Sequence, residues 1–260
     1  MKQVFKGPDA LKNLFNPKKI PYTPLVELPK EITPHYDDGV RIYAKLMYML
    51  PLGQIKSLAA YSMLEDAFEN NKHSLGKIHT IVEASSGNTS YALSAIGKTY
   101  GIHSYKALVS NEISQKKLRL LQLFGITPEM HSDPLCADPS DPDSRIYKAV
   151  QAGKEAGMLN LDQYSNVNNP KIHSEITGPQ IWDQLEGNIS MCAVGLGTTG
   201  TLVGLSNYFK SKDGNIDIVA GIRSPNNMVP GLRTKNLLKE ISFDWRSSAD
   251  FSYEITSEAS

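Results

Sequence analysis

KIHTIVEASSGNTSYALSAIGKTYGIHSYKALVS, residues 77–110, decides the fold. Lys77–Val82 is an apolar, β-like run, Asn88–Tyr100 carries helical spacing, and Ser104–Val109 is a second strand. Downstream, Ser114–Phe124 reads as a helix with leucines at 118, 120, 121 and 123, and Ile126–His131 closes the unit. Strands alternating with helices of about 10–15 residues predict a parallel sheet covered on both faces. Upstream, Ser57–Asn70 forms an apolar helical face and Val40–Lys45 a strand, while the proline-rich residues 1–40 read as an extended segment laid over a domain. Residues 132–144 hold three prolines and four aspartates and read as a loop or junction. Helices at Arg145–Ala156, Asn169–Leu185 and Leu202–Lys210 then alternate with strands at Ser190–Val194 and Ile216–Ile222. The expected architecture is α/β with two lobes. The smaller spans residues 41–150, and the larger joins residues 1–40 to 151–260. A cleft between two such lobes is where a ligand binds.

Composition narrows the function classes. The 260 residues balance 27 Lys and Arg against 27 Asp and Glu, which argues against a nucleic-acid or anionic-membrane footprint. No run reaches the roughly 18 apolar residues of a membrane helix, and the N-terminus is broken by charge and proline too early for a secretory signal. Cys136 and Cys192 make neither a disulfide framework nor a metal knuckle, so a reducing, cytoplasmic setting is expected. The six histidines are scattered and form no ligand pair, so no metal site is expected.

Three segments carry chemistry, each at a strand-to-helix or turn-to-helix junction. Gly197-Thr198-Thr199-Gly200-Thr201 combines glycines that allow close approach, free N–H groups at a helix start, and three hydroxyls, a set suited to a compact phosphate. A plain turn accounts for the glycines equally well. The stretch from Gly195 also fits a dinucleotide fingerprint, but the next strand ends Gly221-Ile222-Arg223-Ser224 without the acid that would hold a ribose. Ser85-Ser86-Gly87-Asn88-Thr89-Ser90 supplies more hydroxyls and amides than capping needs, and suits a carboxylate. Lys56, just before a helix, offers an amine able to form a Schiff base with an aldehyde. Amine, phosphate cradle and carboxylate cradle together describe a pyridoxal 5′-phosphate (PLP) enzyme acting on an amino acid.

With these segments in order, the chain resembles the cysteine synthase and cystathionine β-synthase family, the fold-type II PLP enzymes. Thr23-Pro24-Leu25-Val26 is similar to the family's TPL segment, Ser85–Thr89 to its TSGNT loop, Thr177–Trp182 to its TGPEIW, and Gly197–Thr201 to its GTGGT loop. Gln163 and Asn168–His173 resemble its QF-NP-NP-H region. The resemblance implies that Lys56 is the Schiff-base lysine and the base for the Cα proton. It implies that Asn88 meets the cofactor's 3′-oxygen and that Gly197, Thr198, Thr199, Gly200 and Thr201 hold its phosphate. Ser85, Ser86, Gly87, Asn88, Thr89 and Gln163 would hold the substrate carboxylate. It further implies a homodimer and β-replacement on an O-activated serine, either O-acetylserine with sulfide or a cystathionine- or diaminopropionate-type reaction.

The chain departs from the family pattern at Ser57-Leu58, Ser90, Thr199 and Ile218–Arg223, and it stops at Ser260. The family continues through a helix and strand whose serine or threonine meets the pyridine nitrogen. A truncated chain, a site completed otherwise, an incomplete site, and a non-catalytic binding homologue all stay open at this point.

Overall fold

A computed structural model of the chain describes residues 3–70, 76–132, 138–239 and 241–258. Cys136 and most of the acidic 132–144 stretch's first half lie outside the described residues. The N-terminal segment is more structured than an extended strap. It holds a short helix, α1 (Ala10–Phe15), and a strand, β1 (Leu25–Glu27), that pairs antiparallel with β2 (Tyr43–Lys45). The strand expected from Val40 thus begins at Tyr43. Lys45 ties this hairpin down, donating to the Thr23 carbonyl at 2.8 Å and to Gln184 Oε1 at 2.7 Å.

The repeating unit folds into one parallel sheet. Its elements are α2 (Lys56–Asn70), β3 (Thr80–Glu83), α3 (Asn88–Lys98), β4 (Ser104–Ser110), α4 (Gln115–Leu123), β5 (Thr127–His131), α5 (Arg145–Ala152) and β6 (Met158–Leu159). The strand order is β5-β4-β3-β6, with Thr80 opposite both Ser104 and Met158. β3 is buried along its whole length, as a central parallel strand requires. Helices α2 and α3 pack on each other and share a core with the sheet, through Ala59, Met63, Leu64, Leu93, Ile96 and Ile81. Each large side chain buried there stabilises by roughly 1.5–3 kcal/mol. Gly97 is needed for this closeness, since a Cβ there would stand 2.8 Å from Ile81 Cδ1. Ser114 and Ser144 cap α4 and α5, accepting from Lys117 N and Tyr147 N.

A second parallel sheet follows. Helix α6 (Asn168–Ile172) runs through a π-helical turn, His173–Thr177, into α7 (Gly178–Gln184). Then come β7 (Met191–Gly195), α8 (Gly200–Lys212), β8 (Asp217–Arg223), α9 (Trp245–Ser248) and β9 (Phe251–Ile255), with strand order β7-β8-β9. Leu202, Leu205 and Phe209 of α8 bury against Ile218, Ala220 and Ile222 of β8. The helix expected at Asn169–Leu185 is continuous but contains the wider turn. That turn sets Pro179, which lacks an N–H and crowds the preceding turn, at the start of α7, where it costs least. Parallel sheets flanked by helices are thus the architecture of the chain. Among the described residues, no helix is long and apolar enough to cross a membrane.

Candidate active site

The chemistry-bearing segments lie at helix starts, two of them beyond the carboxyl ends of parallel strands, where α/β proteins bind ligands. Lys56 is the first residue of α2, one residue earlier than the helix expected from sequence. A tight turn, Pro51–Gly53, delivers the chain there with Leu52 and Gly53 both left-handed, at φ 66° and 67°. Ser57 Oγ then donates to the Gln54 carbonyl at 2.7 Å. Leu50 and Leu58 anchor this corner on Ile172 of α6. Burial lowers the Lys56 ammonium from its ordinary value, in the direction that makes it a base near neutrality. The positive end of its own helix acts the same way.

After β3, the Ser85–Ser90 loop enters α3 through Gly87, at φ −149° and ψ −138°, and no side chain caps the helix. The hydroxyls expected to cap are engaged elsewhere. Ser90 Oγ donates to the Ser85 carbonyl, Ser85 Oγ accepts from Gly87 N at 3.4 Å, and Thr89 Oγ1 donates to Gln163 Oε1 at 2.7 Å. Ser85, Ser86 and Gly87 are half-buried, Asn88 is exposed and Thr89 is buried.

The Gly197–Thr201 loop opens α8 in the same uncapped way. Thr199, a β-branched residue, is left-handed at φ 68°, and its buried Oγ1 has no hydrogen-bond partner among the described residues. Such a conformation costs about 1–3 kcal/mol and persists where surroundings impose it. A Cβ on Gly197 would approach the Gly231 carbonyl oxygen to 2.6 Å, and one on Gly200 would collide with the Asn169 side chain. Glycine is therefore required at both positions by space.

Hydrogen bonds join the two loops. Asn169 Nδ2 donates to the Gln163 carbonyl at 2.7 Å and to Thr198 Oγ1 at 3.0 Å. Together with the Thr89–Gln163 bond, this makes one line from the Ser85–Ser90 loop to the Gly197–Thr201 loop. His173, buried in the π turn, adds a second link. Its Nε2 pairs with Thr201 Oγ1 at 3.2 Å and its Nδ1 with Thr177 Oγ1 at 2.9 Å. Burial, and next the charge of Lys56, push the His173 pKa down to about 3, so the imidazole is neutral. The Lys56 charge therefore acts on the residue that holds Thr201. Of the residues expected from sequence, Lys56, Thr89, Gln163, Thr198 and Thr201 are brought together by these interactions.

Glu83 had no role in the sequence reading. It ends β3 and is 1% exposed. Burial, and next the charge of Asp162, raise its pKa to about 8. A lone acid at the end of the strand Thr80–Glu83 gave no sequence signal of this enclosure.

The fit to a phosphate-bearing aldehyde can be judged on these features. A buried orphan hydroxyl at a helix start, two glycines with no room for a Cβ, and an amine shifted toward its neutral form suit such a cofactor. The corresponding match is found among known proteins. A family model described as pyridoxal-phosphate dependent enzyme matches residues 18–241. Cysteine synthase B of Salmonella typhimurium is 31% identical over 216 residues, which cover 81% of this chain and 66% of that protein. Cystathionine beta-synthase of Saccharomyces cerevisiae is 35% identical over 209 residues, covering 76% of this chain and 39% of that one. A cysteine synthase structure from Entamoeba histolytica superposes with a TM-score of 0.79 at 21% identity, over 99% of this chain and 74% of that chain. An O-ureido-L-serine synthase structure gives 0.74 at 24%, over 92% and 75%. The two structures speak for the fold. The chain spans just under two thirds of the length of the cysteine synthase B it matches.

Proposed function

Since the chain belongs to the family of pyridoxal-phosphate dependent enzymes, we propose that it catalyses β-replacement on an O-activated L-serine, with O-acetylserine and sulfide giving cysteine as the leading pair. The observation that carries this reading is the hydrogen-bond line Thr89–Gln163–Asn169–Thr198, which joins a carboxylate cradle to a phosphate cradle. Relatives named cysteine synthase favour sulfide as the nucleophile. Those named cystathionine beta-synthase favour a thiol amino acid, which is the second reading.

On this proposal the work is divided between the lobes. The smaller, residues 41–150, presents the substrate, and the larger, residues 1–40 and 151–260, holds the cofactor phosphate. Gly197, Thr198, Thr199, Gly200 and Thr201 take the phosphate on amides and hydroxyls, and Asn88 faces the ring oxygen. Ser85, Ser86, Gly87, Asn88, Thr89 and Gln163 take the substrate carboxylate. Lys56 would attach the cofactor through its amine and, when free, would take the Cα proton; burial lowers its pKa, the direction such a base needs. When bound, the cofactor's pyridine ring delocalises the electron pair left at Cα. Neutral His173 offers one donor and one acceptor, so it holds the Thr201 and Thr177 hydroxyls in opposite roles. The reading includes a cytoplasmic homodimer, on the family resemblance and the cysteine usage.

The test is the visible spectrum of protein purified with PLP, before and after borohydride, alongside Lys56→Ala. A yellow band trapped on Lys56, followed by acetate release from O-acetylserine that requires sulfide, is the expected result. No band at saturating PLP overturns the reading. Turnover with homocysteine but not sulfide moves it to the second.

A further inference from the structure

Asn169 sits at the middle of the line between the two loops, and its contacts fix which way its amide points. The side chain is buried. Its Nδ2 carries two hydrogens and spends both, one on the Gln163 carbonyl at 2.7 Å and one on Thr198 Oγ1 at 3.0 Å. A backbone carbonyl only accepts, so the nitrogen of the amide, and not its oxygen, must face Gln163. Packing holds the amide in place as well. Gly200 and Gly204 lie one turn apart on α8, where α6 crosses it. A Cβ on Gly200 would strike the Asn169 amide, and one on Gly204 would strike the Pro170 carbonyl. Asn169 and Pro170 thus lie in a groove that two glycines keep open.

The consequence falls on Thr198. A threonine hydroxyl has one hydrogen to give and two lone pairs to receive with. Asn169 takes a lone pair, so Thr198 keeps its hydrogen, and no acceptor for that hydrogen is found among the described residues. Next to it, the buried Thr199 hydroxyl has no partner either. Two adjacent buried hydroxyls at the start of α8 therefore have hydrogens to give, beside the open first-turn amides.

We infer that Asn169 is a positioning residue: by donating to Thr198 Oγ1 it commits that hydroxyl to donate in turn, and so sets the grip of the Gly197–Thr201 loop on a phosphate. The inference rests on the proposed phosphate role of that loop. An acceptor in place of the amide reverses the arrangement. It takes the Thr198 hydrogen for itself and leaves the hydroxyl's lone pairs for the phosphate, which they repel. Asn169→Asp makes that change at nearly constant shape. It also adds a negative charge, which acts on a phosphate whether or not Thr198 has a hydroxyl. The part of its effect that passes through Thr198 is therefore the part that disappears when the hydroxyl is removed.

The experiment uses the full chain and two probes. One is PLP, followed by its visible band. The other is pyridoxine 5′-phosphate, which carries the phosphate but no aldehyde, followed by its fluorescence. Thr198→Val should weaken both by about tenfold, the loss of one hydrogen bond to a charged group. Asn169→Asp should weaken both by at least about a hundredfold in the wild type, and by about tenfold less than that in a Thr198→Val background. Thr198→Ser, which keeps the hydroxyl, should restore the larger loss. A merely structural role for Asn169 gives the same fold-loss in all three backgrounds, and equal losses within about twofold overturn the inference. Should Asn169→Asp not fold, Asn169→Ala decides by the same comparison. It should cost about fivefold in the wild type and less than about twofold in Thr198→Val; equal losses again overturn the inference. A protein that binds pyridoxine 5′-phosphate with this coupling, yet holds no PLP on Lys56, overturns the β-replacement reading and leaves the role of Asn169 standing. Binding of neither probe overturns both.

Discussion

Among the described helices that begin beside serine or threonine, four form two contrasting pairs. At α4 and α5, Ser114 and Ser144 sit in extended backbone and turn their hydroxyls onto the amide three residues on. At α3 and α8, Gly87 and Thr199 occupy the same position in different backbone, and neither start is capped by a side chain. The residue types are similar; the φ and ψ of the capping position are not. A capped helix start has met its own need for an acceptor. An uncapped one keeps first-turn amides for a partner from outside. The two starts proposed to bind ligands are therefore distinguished by what their serines and threonines fail to do locally.

This contrast can be broken in a graded way. Gly200→Ala drives a Cβ into Asn169 at an open start; PLP affinity, followed by titration of the visible band, should fall at least about a hundredfold, near the upper end of overpacking costs. Thr199→Gly separates strain from function. It removes a left-handed β-branched residue, so the cofactor-free protein should melt about 2–4 °C higher by calorimetry. PLP should bind about tenfold more weakly for want of one hydroxyl. A variant that melts higher and binds equally well would make Thr199 a bystander. Ser144→Ala, at a closed and buried start, should cost about 1 kcal/mol and about 3 °C while leaving PLP affinity unchanged. Ser114→Ala should do the same with about 0.5 kcal/mol, because that cap is exposed and its bond is long at 3.4 Å. Any change in PLP affinity from either serine variant would erase the distinction between the pairs.

Much of this was legible in the sequence. The alternation of apolar runs and helical spacing gave the parallel sheets, and the hydroxyl- and glycine-rich loops after strands stood out as the two loops proposed to hold ligands. What escaped has physical causes. β6 is two residues, Met158 and Leu159, too short for any periodicity to register. β9 is a strand because β8 offers it an edge; Phe251–Ile255 does alternate apolar and polar residues, but five residues are few, and Phe251 and Tyr253 stand 48% and 63% exposed instead of marking a core face. Helix α1 spans six residues of a proline-flanked segment and owes its form to docking, with Phe15 against the first core. Glu83 was invisible because a lone acid in sequence reads as solvated, and only the folded chain shows it enclosed. The π turn was hidden for a simpler reason. One residue added to a helical turn leaves the apolar spacing on either side nearly unchanged.

That extra residue works as an index mark between two stretches of helix. Each residue turns an α-helix by about 100°. Deleting one position within His173–Thr177 would restore the common pitch and rotate everything after it by that angle relative to α6. Gln180 and Gln184, which grip Lys45 at 3.2 and 2.7 Å, would swing away from the N-terminal hairpin, whose Lys45 lies 135 and 139 residues earlier in the chain. A single-codon loss there would thus be felt at two places at once, the imidazole beside Lys56 and the clasp on β2. The helix is a keyed shaft, and its key is the residue that ordinary helical geometry has no place for.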